Sequence, residues 1–134
     1  MDMEIKRNEA TYNRPEGDRV IDAPYVFVDI PAFVDQIKTE KAWQKNDRNG
    51  ITVFKSSELT LVITALQASA GISHNNVNAF MTVQVLEGEV RISTQDGDVD
   101  MRSGNVIAFH PGIQHSIQAI TDIILLISIY DNIK

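Results

Sequence analysis

Residues 71–90 read GISHNNVNAFMTVQVLEGEV, and the interpretation of the chain depends on this stretch. A polar segment that contains His74 precedes an apolar run, which stops at the turn-like pair Glu87-Gly88. Side chains along a strand alternate between its two faces, so Met81 and Val83, two residues apart, point to the same face. The stretch therefore predicts a half-buried strand that ends in a turn, preceded by one histidine where a metal site would need several ligands.

From Ile51 onward the sequence consists of short segments rich in Val, Ile, Thr and Phe, separated by turn signals. The eight predicted strands are ITVFKS (51–56), LTLVITALQ (59–67), FMTVQVLE (80–87), EVRIST (89–94), DVDMR (98–102), NVIAFH (105–110), HSIQAI (115–120) and IILLISIY (123–130). Asp96-Gly97 is the clearest hairpin signal, because these residues tolerate the positive φ that tight hairpins require. Strands this short and numerous must close on one another to protect their edges, which predicts an all-β barrel.

The chain divides by character into an N-terminal segment, residues 1–45, and a barrel region, residues 46–134. The N-terminal segment is expected to pack on the barrel or on a partner subunit. Pro31 suits a first helical turn, and Phe33 and Ile37 lie at helical spacing on one apolar stripe. The predicted elements are an extended polar arm (1–22), a strand (Tyr25–Val28), a helix (31–40) and a turn cluster (Lys45–Gly50).

Composition excludes several classes of function. The formal net charge is -6 and the pI about 4.9, so no basic patch is expected to bind nucleic acid or an anionic membrane. The chain has no cysteine, which excludes disulfides and thiolate ligands and fits a reducing cytoplasm. The longest apolar run, 123–129, is too short to span a bilayer, and the first ten residues do not form a secretory signal. We therefore expect a cytoplasmic protein with no nucleic-acid or membrane partner.

The region 74–119 resembles the cupin superfamily, whose members are small jelly-roll barrels, also described as double-stranded β-helices. The first cupin signature runs glycine, five residues, His-x-His, three or four residues, Glu, six residues, Gly. With Gly88 as the last glycine and a spacing of four, His74 and Asn76 fall on His-x-His and Met81 falls on the glutamate. Of the three ligand positions in this signature, only His74 matches.

The second cupin signature runs Gly, five residues, Pro-x-Gly, two residues, His, three residues, Asn. Gly104 begins it, His110 stands at the proline position, and Gly112 and His115 match. Fifteen residues separate the two signatures, at 89–103, which resembles the spacing in many small microbial cupins. NDRNGITVFKS, VQVLEGEV and HPGIQHSIQA are similar to a group of single-domain bacterial cupins without an assigned activity. The resemblance implies a cupin-type jelly-roll barrel with a short N-terminal strand and helix.

A complete cupin site holds a divalent metal with three histidines and one glutamate. The resemblance leaves His74 and His115 as ligands here, since Asn76 offers a neutral amide and Met81 an uncharged thioether. His110 could complete a trio, although a solvent-facing loop histidine is the simpler interpretation. A metal-free cavity is therefore predicted, with ligand-binding residues His74, Asn76, Met81, Gln114 and His115.

Three hypotheses about function follow from these residues. In the first, the barrel cavity binds a small, mostly apolar molecule without a metal. In the second, His74 and His115 hold Fe, Mn, Ni or Zn in an oxygenase or isomerase of a small organic substrate. In the third, the chain is a structural or regulatory protein, and under each hypothesis a homodimer is predicted. Whether the chain is an enzyme is left open by the sequence.

Overall fold

The structure, a computed structural model, describes residues 4–131 apart from the side chain of His74. The N-terminal part of the described chain forms a small two-stranded sheet and two helices. These elements are β1 (Lys6–Asn8), β2 (Arg19–Asp22), α1 (Ile30–Thr39) and α2 (Lys41–Lys45). α1 begins where the sequence predicts, because Asp29 accepts a hydrogen bond from the backbone N–H of Ala32 and a proline follows in the first turn.

The remaining nine described strands form two antiparallel sheets that pack against each other as a jelly roll. The four-stranded sheet has the order β5 (Gly71–Asn75), β10 (His115–Ala119), β7 (Glu89–Thr94) and β8 (Gly97–Arg102). The five-stranded sheet has the order β3 (Arg48–Lys55), β4 (Leu59–Leu66), β11 (Ile123–Tyr130), β6 (Phe80–Glu87) and β9 (Val106–Phe109). The chain therefore has the all-β architecture that its sequence predicts.

Apolar side chains fill the space between the two sheets. Val83 and Leu125 from the five-stranded sheet and Val90 and Ile92 from the four-stranded sheet are fully buried there. Because protein interiors are close-packed, these buried side chains leave little room for a ligand between the two sheets. The barrel interior is thus a packed core rather than an open lumen.

A second core lies on the outer face of the five-stranded sheet. Val34 and Ile37 of α1 pack there against Ile63, Ile124 and Leu126. β11 is therefore covered on both faces, which explains why its sequence is a continuous apolar run instead of an alternating one.

An ion pair joins the N-terminal segment to the helices and to β3. Arg14 donates from Nε and Nη2 to the carboxylate of Glu40 at 2.9–3.1 Å, and from Nη2 to the Gly50 carbonyl at 2.7 Å. Asn49 and Gln36 donate to the same carboxylate. Burial raises the pKa of Glu40, but the hydrogen bonds from Arg14, Asn49 and Gln36 outweigh it and hold the pKa below the ordinary value of 4.5.

Each of the eight predicted barrel strands is present, although β3 begins at Arg48, inside the predicted turn cluster, rather than at Ile51. The predicted hairpin is also present: its turn is at Gln95 and Asp96, and Gly97 has φ +121°. The N-terminal part does contain short strands, but they lie at β1 and β2, whereas residues 25–28 have no strand pairing.

The prediction also missed α2 and β5, and β5 lies at Gly71–Asn75, where the sequence indicates a break. No helix among residues 4–131 is long and apolar enough to cross a membrane.

Candidate functional site

His115 is the first residue of β10 and is only 2% exposed. Along β10, His115, Ile117 and Ala119 alternate with more exposed residues, so the histidine points to the interior between the sheets. It pairs with Thr94 of β7 on one side and with Asn75 of β5 on the other. The central position of β10 in its sheet thus brings the histidine between two neighbouring strands.

Both ring nitrogens of His115 have partners. Nδ1 lies 3.1 Å from the backbone oxygen of Ile113, and Nε2 lies 3.2 Å from Nδ2 of Asn75. Because a carbonyl oxygen only accepts, Nδ1 carries the hydrogen, and Nε2 accepts from the Asn75 amide. The ring stacks on Phe109 with centroids 4.1 Å apart and planes 10° from parallel. These contacts hold the imidazole in place by packing and hydrogen bonds.

An irregularity in β5 places Asn75 beside His115. Ile117 pairs with Ile72, whereas His115, two residues earlier, pairs with Asn75, so β5 carries one extra residue between the two pairs. A bulge of this kind lets residues three apart face the same side. Ile72 packs on the core between the sheets, and Asn75 lies beside both His115 and the Met81 sulfur, which is 3.9 Å from its Nδ2.

Asn75 is thus a site residue that the sequence interpretation missed. Asn75 could have been found from the sequence, because the first signature allows three as well as four residues between His-x-His and the glutamate. With three residues before the glutamate position, Asn75 and Val77 take the histidine positions and Met81 keeps the glutamate position. The contacts of Asn75 with Met81 and His115 agree with this spacing.

Met81 lies in the core. It is 3% exposed, pairs with Phe109 and Ile129 on the neighbouring strands, and packs among the residues between the sheets. The first hypothesis places a ligand cavity among the apolar residues near Met81, but in the structure these residues fill the barrel.

A cavity of about 510 Å³ opens beside His115, at the end of the four-stranded sheet. Gly112, Ile113 and His115 form part of its lining. The other lining residues have uncharged polar side chains. They lie just after β5, at the end of β7 and in the turn after it, and at the start of β10 and in the loop before it: Asn76, Ser93, Thr94, Gln95, Gln114 and Ser116. Three of the predicted ligand-binding residues, Asn76, Gln114 and His115, are therefore brought together at this cavity, and Met81 is not among its lining residues.

The other two histidines are placed differently. His110 is exposed and follows the end of β9. Its ring lies 5.0 Å from that of Phe80. Phe80 is next to the core residue Met81 on β6, so its side chain points to the opposite face of that strand. His110 therefore lies on the outer side of the five-stranded sheet, whereas His115 points to the interior, so the structure does not bring these two histidines together. The backbone of His74 belongs to β5, but its side chain lies outside the described part of the structure, so its role as a ligand stays a prediction.

The groups beside His115 do not fit the metal that the fold family implies. Its neighbours supply a neutral amide and a thioether, and Nε2 already accepts a hydrogen bond from that amide. Fe(II) and Zn(II) sites need at least three protein ligands, with imidazole or carboxylate donors prominent among them. Within the described residues, no group of three or more His, Cys, Asp or Glu side chains is arranged to hold a metal ion.

Comparison with known proteins gives structural likeness without close sequence likeness. No family model matches the chain, and no curated protein matches it. A conserved protein of unknown function from Streptococcus pyogenes is similar with a TM-score of 0.67 at 16% identity, over 85% of this chain and 93% of that one. A cupin superfamily protein from Desulfitobacterium hafniense is similar with a TM-score of 0.63 at 15% identity, over 65% and 80%.

A single-residue mutant of salicylate 1,2-dioxygenase from Pseudoaminobacter salicylatoxidans is also similar, with a TM-score of 0.57 at 17% identity. That match covers 63% of this chain and 26% of the dioxygenase chain. Together with the antiparallel two-sheet architecture, these likenesses show that the chain has the cupin fold. At such low identity they establish the fold alone, because one fold supports many activities.

Proposed function

We propose that this chain is a single-domain cupin that binds a small molecule, without a metal, in the cavity beside His115. The observation that carries the proposal is the cavity itself. Its volume of about 510 Å³ falls in the range of ligand sites, and its lining converges from three separate parts of the chain. Among the predicted ligand-binding residues, Asn76, Gln114 and His115 contribute to it.

The proposal differs from the sequence expectation in where the ligand binds. The sequence places the ligand inside the barrel, among apolar side chains. Since those side chains form a packed core, the ligand is instead placed at the end of the four-stranded sheet, where most of the lining residues have polar side chains. His115 is one of the residues that line this cavity, and its ring is held by Asn75 and Phe109.

A binding experiment on the full chain tests the site. A fragment mixture of apolar, anionic, cationic and polyhydroxylated compounds is added to the ¹⁵N-labelled protein, and amide chemical shifts are followed by NMR. We expect the perturbed amides to cluster at residues 93–95 and 112–116.

Two tryptophan variants make the test specific. Gln95→Trp fills the cavity and should abolish the perturbations. Gln118→Trp introduces the same side chain at an exposed position of the same sheet that does not line the cavity, and it should leave them intact. Fragment binding that is absent, maps elsewhere or survives in Gln95→Trp would count against the proposal.

The metal-dependent alternative is tested separately. A metal that binds only the folded state at a hundred times its Kd stabilises the fold by about 2.7 kcal/mol. We expect Mn²⁺, Ni²⁺, Zn²⁺ and anaerobic Fe²⁺ to leave the Tm unchanged. Near-stoichiometric metal in protein purified without a chelator or affinity tag, lost in both His74→Ala and His115→Ala, would overturn the metal-free proposal.

We also propose that the chain forms a homodimer. Residues 25–28 pair with no described strand, and the side chains of Tyr25 and Phe27 are 89% and 88% exposed. A second copy that pairs with this segment would cover both rings and use its strand-type sequence. Sedimentation at micromolar concentration should give twice the 15.0 kDa chain mass. A monomer mass for the wild type, or a dimer unaffected by Tyr25→Ser/Phe27→Ser, would contradict this interface.

A further inference from the structure

The lining of the cavity beside His115 contains no charged side chain. This is notable in a chain with 12 basic and 18 acidic residues. A phosphate or carboxylate group placed there would lose hydration without gaining a cationic partner, which is costly. Asp98 pairs with Ser93 across β7 and β8, and its charge acts on Arg91. Asp98 lies outside the lining, and its charge would repel an anion further.

Hydrogen-bonding capacity is concentrated in the same cavity. The structure shows no side-chain hydrogen bond from Asn76, Ser93 or Gln95 to another described residue. The Thr94 hydroxyl, in contrast, is used within the turn, where it donates to the Gly97 carbonyl and accepts from the Asp96 N–H. Two amides and a hydroxyl are thus available, and each of them both donates and accepts. A ligand that matches them must itself offer several groups that donate and accept.

One apolar surface lies beside these polar groups. Ile113 is 45% exposed and lines the cavity, so it can cover a C–H surface of a ligand. The loop that carries it is held by a hydrogen bond from the Gly112 N–H to the Val77 carbonyl at 2.9 Å. Because Val77 follows Asn76 directly, the apolar and polar parts of the lining are tied together before a ligand arrives.

We infer that this cavity takes a neutral, polyhydroxylated small molecule, such as a monosaccharide or a cyclic polyol. The inference rests on the proposed function, in which the same cavity is the binding site. The ligand's hydroxyl groups bind Asn76, Ser93 and Gln95, and one C–H face of its ring packs on Ile113. The uncharged lining excludes phosphorylated and carboxylated relatives of the same molecule.

The experiment compares five probes on the full-length ¹⁵N-labelled chain. D-glucose and myo-inositol are the neutral polyols, glucose 6-phosphate and glucosamine add one kind of charge each, and benzoate represents an apolar anion. We expect either neutral polyol to saturate shifts at residues 93–95 and 112–116, and to bind at least tenfold more tightly than glucose 6-phosphate and benzoate.

Single-residue variants show which groups the ligand uses. Loss of one hydrogen bond of about 0.5–1.5 kcal/mol weakens binding roughly two- to twelvefold. Ser93→Ala and Gln95→Ala should each weaken polyol binding by about that factor. Gln118→Ala, outside the cavity on the same sheet, should not change it.

The outcomes separate this inference from the proposed function. If benzoate, glucose 6-phosphate or glucosamine binds at the cavity and neither neutral polyol does, the polyol class is wrong while the binding site stands. If polyol binding is unchanged in both Ser93→Ala and Gln95→Ala, the assigned contacts are wrong. If neither these five probes nor the fragment mixture perturbs residues 93–95 and 112–116, the binding site itself is wrong and both proposals fail.

Discussion

Glu40→Gln should destabilise the chain more than removal of an exposed carboxylate, because Glu40 is buried and accepts hydrogen bonds from Arg14, Gln36 and Asn49. The Glu40 side chain is 7% exposed and that of Arg14 is 23% exposed. Glutamine keeps the shape but leaves the Arg14 guanidinium without its counter-charge. Breaking a fully buried pair costs roughly 3–5 kcal/mol, whereas exposed pairs contribute roughly 0–1 kcal/mol.

Since Arg14 is partly exposed, we expect a loss between those limits, about 2–3 kcal/mol in the free energy of unfolding. For a chain of this size that corresponds to a fall in Tm of about 8–12 °C, at about 4 °C per kcal/mol. Urea unfolding followed by circular dichroism measures the free energy, and an unchanged m-value shows that the comparison is valid.

Asp100→Asn is the matched control. Asp100 accepts two hydrogen bonds from Arg91 at 2.8 and 3.0 Å, but both side chains are about half exposed. Its urea midpoint should stay within error of the wild type. Equal effects of Glu40→Gln and Asp100→Asn would refute the argument that burial makes the Arg14–Glu40 pair important.

The pH dependence of this difference has a definite sign. The folded-state pKa of Glu40 is held below the ordinary value of 4.5. A depressed carboxyl pKa contributes stability above the unfolded value, and that contribution is lost as the pH falls through the folded value. The destabilisation by Glu40→Gln should therefore be largest above pH 4.5 and shrink on acidification below it. A difference that stays constant down to about pH 3 would contradict this reasoning.

Two further predictions concern the site and a turn. His115→Leu leaves the Asn75 amide without its acceptor, so we expect a loss of about 2 kcal/mol in urea unfolding; unchanged stability would show that the histidine is not needed for packing. Gly88→Ala places a Cβ against the backbone oxygen of Asp122 at φ +87°, whereas Gly104→Ala meets nothing nearby at φ +94°. Gly104→Ala is the control and should lose about 1–2 kcal/mol of stability through backbone strain, and Gly88→Ala should lose clearly more. Equal losses of stability would show that the contact with Asp122 is relieved.

The elements that the sequence predicted correctly are those with a local cause. A run such as FMTVQVLE has the alternation of a strand with one buried face, and Asp96-Gly97 has the conformational freedom of a hairpin turn. The helix at Ile30–Thr39 has a cap, a proline and an apolar stripe within ten residues. Each of these signals depends only on neighbouring residues, so it can be read without knowing what the segment packs against.

The elements that were missed or displaced depend on distant partners. The segment GISHN forms β5 because β10 pairs with it, although the alternation of a half-buried strand is absent from its sequence. Tyr25–Val28 has strand-type residues but meets no neighbouring strand within the described chain. β2 lies instead at residues 19–22, where Arg19 donates to the Thr52 carbonyl at 2.8 Å. Strand formation at these positions is decided by contacts far apart in sequence.

The site shows the same division. The two signatures in the sequence predicted the cupin fold correctly, and they showed that Met81 stands where the signature has a carboxylate. Three features required the folded structure: Met81 belongs to a packed core, Asn75 lies beside His115, and the cavity opens at the end of the sheet. The physical reason is that one extra residue in β5 changes which side chains face inward, and its effect appears only when β10 pairs with it.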